Sequence, residues 1–345
     1  MNLRNWYERG VFFACLLCLS SGATAQSPIS LTRNECVGRY ELALPGAVDV
    51  ALSTRESLHG GVKDPIRFSD GQRAQHSRFI YDGGFVITDD VTRDFYEGYA
   101  APFKKLSADT DSQDANGFGS YPIGLAGATA WIGKKSLGFV VYKAGRIYSY
   151  TDTGYPDLTD AKRHFGKISG NFSSRALYEI PTGAGVCLPY AFIADNDKDS
   201  NRQVGVTFRL IDHPDVTVFL LDAKSQSTDP RLTSRQKNEF VWGYDYGIGK
   251  QIKLHGAMPY HPVTLDGREG VATSATITRD DGATDFGYLA TVQGDPNAPI
   301  DTPDLLLLIE RTATNAKGKP AVSADEIDEI GRAISASIKR RPSSH

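Results

Sequence analysis

Short runs in which apolar and polar residues alternate recur along the chain and predict β-strands. Two of them, Arg78–Tyr81 and Phe85–Thr88, flank Asp82-Gly83-Gly84, a sequence typical of a tight hairpin. Three further runs are separated by short, polar linkers that contain glycine: 128–132, 137–142 and 147–150. Because such short linkers join strands that reverse direction, we expect antiparallel pairing.

The second half of the chain repeats this pattern around the polar turn Asp212–Asp215. Its apolar runs lie at 204–210, 216–221, 271–277, 286–292 and 305–309. Strands and helices do not alternate regularly, which disfavours a parallel, doubly wound sheet. The pattern therefore favours antiparallel sheets in both halves.

Helical spacing is rarer than strand alternation. Residues 160–169 place apolar side chains on one face. The clearest helix is C-terminal, where Ser323 and Glu326 form a capping box and isoleucines follow at steps of three and four. Three aromatic residues in the first half also fit a helical face: Tyr96, Tyr99 and Phe103.

These elements predict an α+β protein with two domains, each a mainly antiparallel β-sheet with helices on one face. A turn-rich stretch, Pro181–Gly185, marks the boundary between them. The expected domains are 26–181 and 182–338. Residues 339–345 are basic and polar, and we expect them to form a frayed tail.

The N-terminus has the features of a secretory signal peptide. Arg4 and Arg9 precede nine apolar residues, Val11–Leu19, and Ala23-Thr24-Ala25 supplies a small-residue cleavage motif. The apolar run is shorter than the roughly 20 residues that span a bilayer. A buried N-terminal helix is the alternative. We expect residues 1–25 to be removed by cleavage after Ala25, and the chain to work in a bacterial periplasm.

Two observations refine this localisation. Cys15 and Cys18 do not follow the tripeptide that precedes a lipid-modified cysteine, so we favour a soluble exported protein over a lipid-anchored one. No later apolar run has the length of a transmembrane segment. The chain has 38 basic and 41 acidic residues and no basic stripe, which disfavours nucleic acid as a partner.

Cys36 and Cys187 are the two cysteines outside the predicted signal peptide. In an oxidising compartment such a pair can form a disulfide, and two buried thiols are the alternative. Each cysteine lies near the start of one predicted domain. A disulfide would therefore tie the two domains together.

A search for catalytic or metal-binding motifs finds none. The seven histidines include no His-Glu-x-x-His pattern, and the segment 133–138 departs from Gly-x-Ser-x-Gly by one residue. Gly249-Lys250 is followed by glutamine rather than the serine or threonine of a phosphate loop. We therefore predict no catalytic, metal or cofactor site, and a binding protein rather than an enzyme.

Two clusters are candidates for contact with a partner. Asp195, Asp197 and Asp199 alternate as in a calcium loop, but Ser200 and Val206 replace the glycine and glutamate that an EF-hand requires. A cruder calcium site, a solvated turn and an acidic loop that grips a partner remain open. Trp242, Tyr244 and Tyr246 would share one face of an extended segment, as interface anchors or as a half-buried strand face. The candidate partner-binding residues are Asp195, Asp197, Asp199, Trp242 and Tyr244.

Two segments resemble a known family. Cys36–Pro45 reads CVGRYELALP, and Gly185-Val186-Cys187 is followed by the strand Val204–Leu210 and by His213–Val216. In this order and spacing they resemble the type VI secretion lipase immunity proteins. In that family a Cys-x-Gly-Arg-Tyr strand opens the first domain and a short cysteine-bearing segment opens the second.

The resemblance implies a two-domain inhibitor that binds a phospholipase effector in the periplasm and holds its mobile cap closed. It implies a cognate lipase as partner and no chemistry by the inhibitor itself. Two alternatives remain: a periplasmic protein that binds a lipid or glycan between its domains, and an envelope hydrolase with a scattered active site.

Overall fold

A computed structural model describes residues 29–60, 65–74, 76–108, 119–120, 123–132, 136–153, 158–195, 200–226, 233–245 and 251–341. The predicted signal peptide, 1–25, lies outside these ranges. The helices in the described ranges are α1 (Arg93–Ala108), α2 (Leu158–Asn171), α3 (Ser234–Phe240) and α4 (Ala324–Ser337). None of these described helices combines the length and the apolar character that crossing a membrane requires.

The strands of the first half within the same ranges are β1 (Arg33–Val37), β2 (Tyr40–Leu44), β3 (Val48–Val50), β4 (Leu52–Ser53), β5 (Ile66–Arg67), β6 (Arg78–Tyr81), β7 (Gly84–Ile87), β8 (Gly119–Ser120), β9 (Thr129–Ile132), β10 (Ser136–Lys143), β11 (Arg146–Thr153) and β12 (Phe172–Ser174). Those of the second half are β13 (Val186–Leu188), β14 (Ala191–Ile193), β15 (Arg202–Leu210), β16 (Val216–Ala223), β17 (Gln251–Leu254), β18 (His261–Leu265), β19 (Arg268–Thr278), β20 (Thr284–Val292), β21 (Asp304–Arg311) and β22 (Lys339–Arg340).

One large antiparallel sheet dominates the described structure. Its strands follow the order β17-β19-β20-β21-β16-β15-β6-β7-β11-β10-β9-β8, with β18 beside β19 and β3 beside β15. The predicted hairpins are confirmed: β6 pairs with β7, β10 with β11, and β15 with β16. The α+β class and the antiparallel pairing are therefore confirmed.

The strands of the two halves meet in this one sheet. Arg202–Gly205 of β15 pair with Arg78–Tyr81 of β6, and the end of β15 pairs with β3. We expected a separate sheet for each domain. Instead, the long-range pairing of β15 with β6 and β3 joins the strands of both halves in one sheet. The boundary between residues 181 and 182 stays a prediction.

The first hairpin, β1–β2, turns at Gly38. This glycine has a φ of 57°, and a Cβ atom there would lie 2.2 Å from the Asp222 carboxylate. Only glycine combines this left-handed conformation with so close an approach. The single strand implied by the resemblance is therefore wrong, since the Cys-Val-Gly-Arg-Tyr segment is a hairpin turn.

A disulfide links the first hairpin to the second half. The Cys36–Cys187 bond joins Cα atoms 5.8 Å apart, which confirms the disulfide over two free thiols. Beside it, the Gly38 amide donates to the Cys187 carbonyl at 2.9 Å, and the Cys187 amide donates to the Gly38 carbonyl at 2.7 Å. The hairpin thus packs on the second half, although it comes first in the chain.

The end of the chain is also held. Lys339 and Arg340 pair with β2, and the buried Arg341 donates to the carbonyls of Pro181 and Gly183. The prediction that 339–345 is frayed is wrong for residues 339–341, because these backbone and guanidinium groups find partners across the fold. Residues 342–345 lie outside the described ranges.

Buried charges fix the joint between the first hairpin and the large sheet. The fully buried guanidinium of Arg202 contacts Asp222 and Asp301 at 2.8 Å each. Arg39 of the hairpin joins the same aspartates, since its amide donates to Asp222 at 2.9 Å and its guanidinium lies 3.1 Å from Asp301. A second buried pair, Glu35 and Arg175, lies next to the disulfide at 2.6 Å. A buried charge is costly unless it is paired, so loss of one partner from these contacts would weaken the joint.

Helices α3 and α4 cover opposite faces of the second half of the sheet. Gly331 of α4 packs so closely on Tyr288 that a Cβ atom would lie 2.3 Å from the ring. The neighbouring residue in β20, Leu289, instead joins the apolar cluster around Trp242. Successive strand residues point to opposite faces. The expectation of helices on one face is therefore wrong for this half.

Candidate partner-binding surface

Helix α3 is anchored firmly to the sheet. Thr233 caps its N-terminus in a capping box with Gln236. Asn238 is buried and donates to the Leu289 carbonyl at 3.1 Å, while its side-chain oxygen accepts from the Thr273 hydroxyl at 2.7 Å. A rigid base of this kind holds the residues that follow in fixed positions.

Trp242 belongs to that base and not to the surface. Residues 241–245 continue α3 as a wider helical turn, so the extended segment predicted for them is wrong. Only 4% of Trp242 is exposed, and its indole N–H donates to the Thr273 hydroxyl at 2.7 Å. The prediction that Trp242 is an exposed interface anchor is therefore wrong, because the helical turn directs its indole into the sheet. Tyr246 lies outside the described residues.

Tyr244 is exposed, in agreement with its choice as a surface residue. Its side chain is 66% exposed and stacks on Phe240, which is 55% exposed, with ring centroids 4.7 Å apart. The four-residue spacing places both rings on the same side of the helix. Large aromatic rings held outward on a rigid helix are typical anchors of protein interfaces.

The loop between β17 and β18 extends this exposed area. The Arg235 guanidinium lies 4.2 Å from the centre of the Tyr260 ring and bonds Glu239 at 2.9 Å. Two residues before Tyr260, Met258 is 80% exposed. We call Arg235, Glu239, Phe240, Tyr244, Met258 and Tyr260 the aromatic surface. It combines an apolar centre with a paired charge at its edge, as protein interfaces do.

The Tyr260 hydroxyl has a pKa above its ordinary value. Partial burial and the nearby Glu239 carboxylate raise the pKa of its hydroxyl. The side chain therefore presents an uncharged ring and a hydrogen-bonding hydroxyl at neutral pH.

The acidic loop is only partly described. Asp195 has a nearly buried side chain that pairs with Lys167 of α2 at 3.1 Å, and the same lysine contacts Asp82 at 3.5 Å. The prediction that Asp195 is exposed is wrong, because its carboxylate lies against Lys167 of α2. Asp197 and Asp199 lie outside the described residues.

The second half of the chain matches a known family model. Residues 179–343 match the C-terminal domain of Tle cognate immunity protein 4. These residues belong to the Tle cognate immunity protein 4 family. The aromatic surface lies wholly within this immunity domain, as do α3 and α4. No curated protein matches the chain.

Solved structures have a similar fold. The apo immunity protein TplEi of the T6SS of Pseudomonas aeruginosa has a TM-score of 0.55 and 16% identity, over 90% of this chain and 98% of that one. The Tle4–Tli4 complex gives a TM-score of 0.55 and 18% identity over the same shares. A structure of TplEi with "L" peptide gives 0.54 and 16%. At these identities, the likeness shows the fold.

Proposed function

We propose that this chain is a periplasmic immunity protein that binds and inhibits a cognate type VI secretion phospholipase effector. The match of residues 179–343 to the Tle cognate immunity protein 4 domain carries the proposal. A chain of the Tle4–Tli4 complex has a similar fold, and this similarity supports the proposal. The signal peptide features and the disulfide between Cys36 and Cys187 support the periplasmic location.

Inhibition needs only binding. A lipase whose cap must open to admit substrate is silenced by a partner that binds the closed form more tightly than the open one. A difference in affinity of about 10⁴-fold moves such an equilibrium from almost fully open to almost fully closed. The proposed mode of action is therefore to clamp the effector's cap or lid.

We propose further that the aromatic surface contacts the effector. Phe240 and Tyr244 form its apolar centre, and the paired Arg235 and Glu239 lie at its edge.

Two truncations test this contact. Phe240→Ala with Tyr244→Ala should weaken binding to the cognate phospholipase effector by about 30-fold or more, the effect of losing an anchor of about 2 kcal/mol. Ile300→Ala removes an equally exposed apolar side chain outside this surface and should leave the affinity unchanged. Isothermal titration measures both. Equal affinities for the two variants would exclude the aromatic surface as the contact.

A further inference from the structure

Helix α4 lies between two grooves. The larger, of about 800 Å³, separates α4 from β18 and β19 and is lined on the helix side by Asp328, Arg332 and Ser335. The smaller, of about 330 Å³, separates α4 from the turns at residues 45–47 and 212–213, and Glu326 and Glu329 line it. The helix therefore forms a ridge with a groove along each flank.

This ridge is acidic. Asp325, Glu326, Asp328 and Glu329 provide four carboxylates, against one guanidinium, Arg332. Capping and the helix dipole explain the two acids of the first turn. They do not explain Asp328 and Glu329, which lie in the second turn and face different grooves.

The groove walls add further negative charge. Asp266 lines the larger groove and Asp212 the smaller one. Lys319 lies at the rim of the smaller groove, where its ammonium binds the Asp212 carbonyl at 2.8 Å. Among the residues that the structure describes, Glu329 makes no ion pair. The two grooves together therefore carry more negative than positive charge.

The grooves also have apolar linings. Val263, Ala272 and Ile338 line the larger one, and Leu210, Val322 and Ile330 line the smaller one. An apolar lining with carboxylates along it fits the side chains of lysine and arginine. Their aliphatic stems pack on the apolar surface while their charged heads reach the carboxylates.

We propose that α4 and its two grooves form a second docking surface for the effector, occupied by lysine or arginine side chains of a basic patch that straddles the helix. This inference rests on the proposed function and adds the chemistry of the partner's surface. Charge complementarity of this kind mainly speeds association, whereas buried aromatic anchors mainly slow dissociation.

The two surfaces meet at the edge of the sheet. His255, Gly256 and His261 line the larger groove, while Met258 and Tyr260 of the same loop belong to the aromatic surface. An effector that grips this edge contacts α3 on one face and α4 on the other. One partner can therefore use both surfaces at once.

The test compares association rates. Asp328→Asn with Glu329→Gln keeps the side-chain shapes and removes two charges. Asp94→Asn with Asp280→Asn removes two charges from exposed positions that line neither groove. Stopped-flow mixing with the phospholipase is run at about 0.01 M and about 0.15 M ionic strength.

We expect the ridge variant to associate about tenfold more slowly at the lower ionic strength, with little change in the dissociation rate. The control variant should match the wild type, and the wild-type rate should fall as salt is added. Equal rates for the ridge and control variants would overturn the inference, and so would a wild-type rate that rises with salt.

A second variant guards against a structural effect at Asp328, whose carboxylate accepts a hydrogen bond from the Ser274 hydroxyl. Asp325→Asn with Glu329→Gln leaves that bond intact and should also slow association. If the wild type does not bind the effector at all, the proposed function fails and the inference falls with it. If the wild type binds and inhibits but both ridge variants associate normally, only this inference fails.

Discussion

The disulfide should dominate the stability of the fold. Replacing Cys36 and Cys187 by alanine removes a covalent link across 151 residues of sequence. In the loop-entropy model, a cross-link of that span destabilises the unfolded state by about 5 kcal/mol. Whole domains are commonly stable by only about 5–15 kcal/mol. Loss of the disulfide should therefore lower the free energy of unfolding by a large part of its total.

The surroundings of the disulfide explain why its loss should be felt across the molecule. The first hairpin contacts the second half through the Gly38–Cys187 backbone pair, through β22 and through the buried Arg39–Asp301 ion pair. These contacts form only when distant parts of the chain have met. The disulfide keeps those parts near each other in the unfolded chain.

Urea unfolding followed by tryptophan fluorescence measures the effect. The double alanine variant should lose about 5 kcal/mol relative to the oxidised protein. Wild-type protein that is reduced while unfolded and then refolded is the control, since it lacks the link but keeps both cysteines. It should match the variant. A loss below about 1 kcal/mol would refute the reasoning.

Three further outcomes are expected. Gly331→Ala should lower the free energy of unfolding by about 1–3 kcal/mol, because its methyl group overlaps the Tyr288 ring; an unchanged thermal midpoint would contradict the packing described. Arg202→Met should cost about 3–5 kcal/mol in urea unfolding, because it leaves the buried Asp222 without its cation, whereas Asp301 keeps Arg39 and Arg340; a neutral result would speak against that network. A hydrogen bond to the Asp152 carboxylate raises the pKa of His164, so the protonated ring stabilises the fold below about pH 6.5 and this contribution is lost as the pH rises through the folded pKa. NMR titration should show a lower imidazole pKa after Asp152→Asn, and an unshifted value would argue against this pair.

Local sequence patterns predicted the elements that depend on local interactions. The hairpin at Asp82-Gly83-Gly84 and the strands that follow it were found where alternation and glycine-containing turns placed them. The capping box of Ser323 and Glu326 is present, and the isoleucines behind it are buried. In each case the residues that carry the sequence signal lie within a few positions of the element that they predict.

Long-range relations were not predictable in this way. Nothing near β15 in the sequence indicates that it pairs with β6, more than 120 residues earlier. The prediction placed Trp242 on an extended segment, but the spacings of two and four among Trp242, Tyr244 and Tyr246 fit a strand and a helix alike. Packing of Trp242 on the sheet selects the helical turn. The surface around Phe240 and Tyr260 also arises only when two separate segments meet.

We expect this chain to silence a phospholipase by binding it, without chemistry of its own. The most direct test titrates the purified protein into a fixed amount of the cognate effector and follows phospholipid hydrolysis. Activity should fall linearly to zero at one immunity protein per effector, and dissociation of the complex should restore it. Full activity at a molar excess, or complete inactivation by far less than one equivalent, would contradict the account.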